Sequence, residues 1–240
     1  MFQIIFQHHD FIVVTKDENV NFHDEGDLGQ GLFSQVKQKI SAVTTPLEKS
    51  DTSELYPVHR LDKMTSGLMI FAKTKAAAQT FGQLFSEHKI EKYYIAISDK
   101  KPAKKQGLIK GDMAKSRRGM WKLLRSMENP AITQFFSYAL TAPNRLYILK
   151  PHSGKTHQLR VALSSIGSPI LGDEQYHAKT QVQNDRGYLH AYGLRFTYLE
   201  ETYEFVAPPT SGEHFLEQTT VNRLNTLGKP WLLSWPKIKR

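Results

Sequence analysis

Pairs of short β-rich runs joined by tight turns dominate this sequence, and they constrain its fold more than any other feature. MFQIIF and FIVVTK are separated only by QHHD, and ITQFFSYAL (132–140) and RLYILKP (145–151) turn around APN. A third pair lies within YLHAYGLRFTYLEETYEFVAP, with its turn near Glu200-Glu201. Neighbouring runs of this kind fold back on each other as antiparallel hairpins. The sequence therefore predicts an α+β fold, with a mixed, mostly antiparallel sheet and flanking helices, rather than a doubly wound parallel sheet.

Three segments carry apolar residues at helical spacing, namely LFSQVKQKISAV (32–43), AAAQTFGQLFSEHK (76–89) and THQLRVALSSIG (156–167). The third is closed by Gly167, with Pro169 just beyond it, which is a common way for a helix to end. The polar stretch 44–57 is predicted to be a loop, SGEHFLEQTTVNRLNTL a helix, and the final WLLSWPKIKR a loosely attached tail. Because no shift in composition marks a boundary, we expect residues 1–240 to form one domain.

Positive charge is concentrated in one segment, residues 100–125. The chain has 32 Lys and Arg against 23 Asp and Glu, a net charge of +9. Ten of the basic residues and one of the acidic residues lie in this segment, so the rest of the chain has 22 of each. A concentrated basic patch suits a polyanion, because cations near phosphates release counterions. A solvated loop kept soluble by its charge is the alternative. Trp121 within the run favours a surface that packs or stacks, and we expect an insertion or hairpin rather than a separate domain.

The composition excludes several kinds of chemistry. The absence of cysteine rules out disulfides, thiolate metal sites and a Cys nucleophile, and it fits a reducing compartment. The N-terminus lacks the features of a signal peptide, and no stretch is long and apolar enough to span a bilayer. We therefore expect a cytoplasmic enzyme or binding protein. The sequence contains no Gly-x-Ser-x-Gly elbow and no glycine-rich phosphate loop, and we assign it no metal site.

The string PVHRLDKMTSGLMIFAKT places His59, Arg60 and Asp62 in a loop directly before an apolar strand. Charged residues beside a buried strand are held on a rigid scaffold, which is a common position for function. A simple turn is the alternative, with Asp62 capping it, Ser66-Gly67 closing it and Arg60 as a surface charge. The spacing of this one string does not decide between the two.

A second string, LKPHSGKTHQLRVALSSIGSPILGDEQY, brings Lys155, His157 and Arg160 to the start of a helix. Positions 157 and 160 are three apart and therefore share a face. His157 could be a metal ligand, a base or a packing residue, and the last is usual where no second ligand follows at metal spacing. Arg160 could pair with a carboxylate from elsewhere in the chain or form an ordinary surface ion pair.

Taken in order, the motifs HRLDKMTSG, EKYYIA, SGKTHQLR, GSPILGDEQY and RGYLHA resemble those of the RluA-type family of RNA pseudouridine synthases. That family carries His-Arg-Leu-Asp with Thr-Ser-Gly, a Lys-x-Tyr-x-Ala strand, a Gly-Arg-x-His-Gln-Leu-Arg helix, and later Gly-Asp and Leu-His-Ala motifs. Ordered motifs spread over about 210 residues are far more specific than any one of them. The resemblance implies a pseudouridine synthase fold and the isomerisation of uridine to pseudouridine in structured RNA, either rRNA or tRNA.

The resemblance also implies a role for each matching residue. Asp62 corresponds to the catalytic aspartate, which attacks the target uridine at C1′ of the ribose or at C6 of the base. Tyr94 corresponds to the tyrosine that stacks on the uracil and serves in proton transfer, whereas Tyr93 points to the opposite face of the strand. Arg160 corresponds to the residue that pairs with the catalytic aspartate. Arg60 corresponds to the arginine that enters the space left by the flipped nucleotide.

Further contacts to RNA are expected from basic side chains in three parts of the chain. Besides Arg60, the expected RNA-binding residues are His59, Lys155, His157, Lys104, Lys105, Arg117 and Arg118. Lys155 stands where the family has arginine, which keeps the charge but loses bidentate contacts. KDEN (16–19) stands where the family often has Lys-Pro-x-Gly. We expect no S4-like RNA-binding domain before the first hairpin, so that the catalytic domain itself must grip the RNA.

The implied reaction breaks the N1–C1′ glycosidic bond, turns the base and rejoins it through C5. It has no redox step, so no cofactor is expected, and a monomer without membrane or obligate protein partner is expected. The nucleotide must leave its stack, at a cost of about 2–4 kcal/mol, and an aromatic ring against the base returns about 1–3 kcal/mol of this. The carboxylate must be ionised to react, and a neighbouring guanidinium favours that form.

Two alternatives belong to other functional classes. An RNA-binding protein of the same fold, with lost or secondary catalysis, would be marked by a missing Asp, Tyr or Arg, and all three are present. A hydrolase using Asp62 and His157 would need an oxyanion or metal signature, which the sequence lacks.

Overall fold

The computed structural model describes residues 1–26, 28–43, 54–177 and 184–238. The chain divides into two compact units, residues 1–90 and residues 91–240. Every strand pairing described within either unit is antiparallel, which confirms the predicted α+β fold with a mostly antiparallel sheet. No helix in these four ranges is both long and apolar enough to cross a membrane. The expectation of one domain remains a prediction.

The first unit is a small antiparallel sheet with two helices. Its elements are β1 (Phe2–Gln7), β2 (Phe11–Lys16), α1 (Leu32–Val43), β3 (Tyr56–Pro57), β4 (Ser66–Ala72) and α2 (Lys75–Ser86). Strand β2 pairs with β1 on one side and β4 on the other, and β3 also pairs with β4. The predicted hairpin and both predicted helices are confirmed. Residues 44–53 of the predicted loop lie outside the described residues, and Tyr56–Pro57 at its end forms β3 instead of loop.

Both helices of this unit bury an apolar stripe against the sheet. Phe81 of α2 is fully buried and meets Phe11 of β2 edge to face, with ring centroids 5.3 Å apart. Leu32 and Val36 of α1 are likewise fully buried. Helix α2 begins after Thr74, whose side-chain oxygen accepts a hydrogen bond from the Ala77 amide, a standard N-cap. All seven residues of β4 are buried, so this strand is the rigid centre of the unit.

The second unit is built on a larger antiparallel sheet. Its elements are β5 (Glu91–Ser98), β6 (Gln106–Gly111), β7 (Met113–Lys115), β8 (Trp121–Leu123), β9 (Ala131–Ala139), β10 (Arg145–Pro151), α3 (Gln158–Ser165), β11 (Leu189–Tyr198), β12 (Glu201–Val206), α4 (Glu213–Leu216) and α5 (Gln218–Leu227). The strand order is β12-β11-β5-β10-β9-β6. The predicted pairs β9–β10 and β11–β12 are confirmed, the latter turning at Leu199 and Glu200, which both have positive φ.

The basic segment 100–125 contributes to two sheets. Strand β6 pairs with β9 at the end of the strand order given above. Strands β7 and β8 pair only with each other, and a 3-10 turn at Arg117–Gly119 joins them. We call β7, β8 and this turn, residues 113–123, the basic hairpin.

Two parts of the C-terminal region differ from the prediction. SGEHFLEQTTVNRLNTL forms two helices instead of one, because Glu217 between them has extended backbone angles (φ −55°, ψ 137°). The prediction of a loosely attached tail is wrong for the tryptophans. The Trp235 ring lies 4.9 Å from Phe136 and 5.8 Å from Tyr93, and its Nε1 donates to the Pro230 carbonyl over 2.9 Å. The half-buried rings of Trp231 and Trp235 both pack on Tyr93 and fix this segment, whose only described secondary structure is a 3-10 turn at Pro230–Leu232. Residues 239–240 lie outside the described residues.

Candidate active site

The loop that carries Asp62 is anchored on both sides of that residue. The His59 Nε2 atom accepts a hydrogen bond of 2.9 Å from the Ile70 amide of β4, and its ring lies 4.8 Å from the Phe85 ring. Leu61 is buried. The Thr65 amide donates to the Asp62 carbonyl over 3.0 Å and closes the turn. The Asp62 side chain itself is half-buried, so a carboxylate is held at the surface of this unit by a fixed loop.

Lys16 anchors the other end of the same loop, and sequence reasoning missed this role. Its side chain is 1% exposed, yet its ammonium donates to three carbonyls: Asp17 and Val20 at 2.9 Å and Lys63 at 3.0 Å. An ammonium has three hydrogens to donate, so these bonds use all of them. The bond to the Lys63 carbonyl ties the residue after Asp62 to the end of β2. The lysine in KDEN was the only signal in the sequence.

Strand β5 separates its two neighbouring tyrosines by the alternation of side chains. Tyr93 is fully buried, and its hydroxyl donates to a Glu91 carboxylate oxygen over 2.8 Å. Burial and that hydrogen bond raise the pKa of Tyr93 far above its usual range. Tyr94 is only half-buried and faces the other way, together with Lys92, whose pKa is lowered by burial. Tyr93 is therefore a packing residue, and Tyr94 is the more exposed of the two tyrosines.

Arg160 on α3 is held by a buried carboxylate that sequence reasoning did not assign. Its Nε donates to Asp173 Oδ2 over 2.7 Å, and its Nη2 donates to Asp173 Oδ1 over 2.8 Å. The two residues are 6% and 1% exposed. Nη2 also donates to Gln175 Oε1 over 2.7 Å, and the guanidinium lies 4.9 Å from the Tyr176 ring centroid. A bidentate pair fixes the plane of the guanidinium as well as its position.

Helix α3 begins at Gln158, two residues later than the predicted start at Thr156. His157 has φ 56°, a left-handed conformation that ends the loop and excludes it from the helix. The buried Gln158 Nε2 donates to the Ile132 carbonyl and to Thr133 Oγ1, both at 3.1 Å, which ties the helix start to β9. His157 Nδ1 lies 2.9 Å from the Tyr176 hydroxyl. Lys155 is half-buried and its ammonium donates to the Asn129 carbonyl.

The remaining predicted RNA contacts are exposed cations. Arg60 is exposed in the first unit. The other four lie in the basic segment and are all exposed, namely Lys104, Lys105, Arg117 and Arg118. Asp112, the single acid of that segment, accepts hydrogen bonds from the Glu128 and Asn129 amides over 3.0 and 2.8 Å. A hydrogen bond with the Ser126 side chain, with these backbone bonds, lowers its pKa. The acid therefore holds a turn, and the cations are left to define the surface charge.

The structure places the predicted site residues in two groups. His59, Arg60 and Asp62 share one loop of the first unit, and all the others belong to the second unit. Around the start of α3 it brings together His157 and Arg160 with two residues of the GDEQY string that were not predicted, Asp173 and Tyr176. Among residues 1–26, 28–43, 54–177 and 184–238, no cluster of acidic or histidine side chains could hold a metal ion.

The comparisons with known proteins establish the family. A family model described as RNA pseudouridylate synthase matches residues 10–165, which is more than half of the chain. The chain belongs to this family. It is 45% identical over 231 residues to an uncharacterized RNA pseudouridine synthase of Haemophilus influenzae, covering 96% of this chain and 98% of the relative. It is 32% identical over 191 residues to the dual-specificity RNA pseudouridine synthase RluA of Escherichia coli, covering 78% and 87%.

Solved structures agree with this family at the level of the fold. Human RNA pseudouridylate synthase domain containing 1 superimposes with a TM-score of 0.71 at 26% identity, covering 87% of this chain and 84% of the human one. Human RNA pseudouridylate synthase domain containing 4 gives 0.69 at 24% identity, covering 92% of each chain. The chain is thus an RNA pseudouridine synthase, an isomerase that acts on RNA, and the predicted relation to the RluA type is confirmed.

Proposed function

We propose that the chain isomerises specific uridines of rRNA or tRNA, with Asp62 as the catalytic carboxylate. The observation that carries this proposal is the fixed loop around Asp62. Lys16 and His59 hold it from two sides, while the carboxylate stays accessible at the surface of the first unit. A nucleophile held in one position reacts with a bound nucleotide without first having to be ordered.

The residues supply what the reaction needs at each stage. The N1–C1′ bond breaks, C5 forms the new bond to C1′, the hydrogen on C5 leaves as a proton, and N1 takes up a proton. Asp62 provides the nucleophile at C1′ or C6. Tyr94 provides a ring against the uracil and a hydroxyl for proton transfer. Arg160 provides a positive charge whose orientation is fixed by Asp173.

The exposed cations provide the grip on the RNA backbone. Lys104, Lys105, Arg117 and Arg118 are exposed in a segment whose single acid, Asp112, is engaged in a turn. Phosphate contacts of this kind fix the position of an RNA without reading its sequence. Arg60 is exposed in the loop that carries Asp62, which supports the proposal that it fills the space left by the flipped nucleotide. His59, by contrast, already uses Nε2 to hold the Asp62 loop, which limits it to contacts through the rest of its ring.

Pseudouridine mapping of total RNA tests this proposal. RNA from cells with and without the gene is compared, and both are compared with cells that carry only the wild-type gene on a plasmid. We expect one or a few uridines of rRNA or tRNA to lose modification in the deletion strain and to regain it on complementation. Identical maps in all three strains would contradict the proposal.

The oligomeric state and location are part of the same proposal. We propose a cytoplasmic monomer that needs no further protein. Light scattering of the purified chain should then give 27.5 kDa. A mass twice as large would contradict the monomer.

A further inference from the structure

Tyr176 occupies a junction between the basic hairpin and the start of α3. Its hydroxyl accepts a hydrogen bond of 2.7 Å from the Trp121 amide, at the start of β8. The same hydroxyl lies 2.9 Å from His157 Nδ1. The direction of this second hydrogen bond follows the His157 tautomer: the hydroxyl donates to Nδ1 when the histidine hydrogen is on Nε2, and it accepts from Nδ1 when the hydrogen is on Nδ1. One oxygen thus joins the hairpin to His157, the residue directly before α3.

The ring of Tyr176 holds a second partner. The Arg160 guanidinium lies over it at 4.9 Å, and the His157 ring meets it edge to face with centroids 5.7 Å apart. A guanidinium over a tyrosine face is attracted by the ring electrons. The residue that carries the hairpin bond is therefore also a wall of the Arg160 site.

The turn that carries Tyr176 is itself rigid. The Tyr176 and Gln175 amides donate to Asp173 Oδ1 over 3.2 and 3.0 Å, and Asp173 is buried. At the other end, His177 pairs with Asp99 at 2.9 Å, just beyond β5. The backbone position of Tyr176 is consequently fixed by the turn.

The basic hairpin depends on such an anchor. Each of its strands has three residues, and they pair only with each other. A two-stranded ribbon is marginally stable by itself in water, so its contacts with the rest of the protein decide where its side chains lie. The bond from the Trp121 amide to Tyr176 is such a contact, and it is made directly after the Arg117–Gly119 turn.

We propose that Tyr176 is a positioning residue that fixes the arginines of the basic hairpin relative to Arg160, so that RNA held by the hairpin presents its uridine in register with the catalytic groups. This inference rests on the proposed function, because it assigns the hairpin to RNA and Arg160 to catalysis. The effect of Tyr176 is transmitted through one hydroxyl and one ring.

A double-mutant cycle on RNA binding tests this role. Tyr176→Phe keeps the ring over Arg160 and removes only the hydroxyl, and Arg117→Ala/Arg118→Ala removes the hairpin charges. The dissociation constant of an unmodified tRNA transcript is measured for the wild type, each variant and the combination. If Tyr176 positions the arginines, their removal should weaken binding at least about threefold less in the Tyr176→Phe background than in the wild type. Equal fold-changes in both backgrounds would overturn the proposal.

Kinetics on the uridine identified by mapping supply the second readout. Tyr176→Phe should raise KM roughly 3- to 10-fold and leave kcat within about twofold, because the hydrogen bonds are lost and the guanidinium contact is kept. Tyr176→Leu, which removes the ring as well, should also lower kcat. Tyr203→Phe is the matched control, since it removes a hydroxyl bonded to Glu201 on the β11–β12 hairpin, and it should change neither constant. An unchanged KM in Tyr176→Phe would overturn the proposal.

The two proposals fail in different ways. Loss of the proposed function would appear as a wild-type enzyme without isomerase activity, and the binding cycle would still report whether Tyr176 and the hairpin are coupled. Failure of the Tyr176 role would appear as independent effects in an active enzyme. If Tyr176→Leu does not fold, as shown by its melting curve, Tyr176→Phe still carries the test because it keeps the ring volume.

Discussion

The pair between Arg160 and Asp173 separates stability from function more clearly than any other contact. Asp173→Ala removes a carboxylate that accepts two hydrogen bonds from Arg160 and two from the backbone amides of Gln175 and Tyr176. It removes the Asp173 counter-charge of a guanidinium that is 6% exposed. Breaking one side of a buried pair costs about 3–5 kcal/mol. At about 2–4 °C per kcal/mol for a chain of this size, the melting temperature should fall by about 6–20 °C.

Removing both partners together should restore the stability. In Arg160→Met/Asp173→Asn neither charge of the pair remains, and the amide oxygen of the asparagine can still accept from the Gln175 and Tyr176 amides. Removing both charges of a buried pair is often within about 1 kcal/mol of neutral or better. The double variant should therefore melt close to the wild type while having no isomerase activity, because the proposed catalytic charge is gone. Melting is followed by circular dichroism, and activity by the release of tritium from RNA labelled at C5 of uridine. A double variant as unstable as Asp173→Ala, or an Asp173→Ala variant as stable as the wild type, would refute this reasoning.

Three further changes test other contacts. Lys16→Met leaves three backbone carbonyls without their hydrogen-bond donor and should cost about 2–4 kcal/mol of folding free energy. It should also lower kcat, because the Asp62 loop loses one of its anchors. An unchanged kcat would contradict the role of Lys16 in holding that loop. Burial lowers the pKa of His190 to about 4, so the unfolded chain takes up a proton at higher pH than the folded one. About 3 kcal/mol of folding free energy should therefore be lost as the pH falls from about 6.5 to 4. In urea titrations His190→Gln should make the folding free energy less dependent on pH over this range, and a pH dependence identical to that of the wild type would contradict the reasoning. Replacing Lys104, Lys105, Arg117 and Arg118 by glutamine should reduce the slope of the logarithm of the RNA-binding constant against the logarithm of the salt concentration by about three. The same replacement at four exposed lysines of the first unit is the control. Equal slopes in the two variants would contradict the proposed role of the basic segment in RNA binding. The control set is Lys37, Lys39, Lys75 and Lys89.

The sequence predicted those parts of the fold that local pattern determines. The pairs β9–β10 and β11–β12 follow from short alternating runs on either side of a turn. Helices α1 and α2 follow from apolar residues at a spacing of three and four, although α2 ends at Ser86, because His88 beyond it has a positive φ. The predictions were wrong where a single backbone angle decides whether a helix continues. Glu217 interrupts the last predicted helix because its ψ is extended, and nothing in the sequence around a glutamate predicts that angle.

Contacts between segments far apart in the chain could not be predicted from the pattern of apolar and polar residues. Nothing in WLLSWPKIKR indicates that Trp235 packs on Phe136, a hundred residues earlier, because an apolar run shows what is buried and not against what. The same holds for the site. The motifs identified Arg160, but the carboxylate that holds it and the tyrosine beneath it lie in a turn whose residues read as structural. Lys16 was visible only as the lysine that KDEN shares with the Lys-Pro-x-Gly of the family.

The most direct test of the central claim is the isomerase activity of Asp62→Asn. This change keeps the size of the side chain and removes the nucleophilic charge, and Asp10→Asn, in the β1–β2 turn, is the matched control. Tritium release from the RNA identified by mapping is measured for both variants at enzyme concentrations above the dissociation constant. We predict that Asp62→Asn binds the RNA within about threefold of the wild type and releases no tritium above background, while Asp10→Asn is fully active. Wild-type tritium release by Asp62→Asn would contradict the assignment of Asp62 as the catalytic carboxylate.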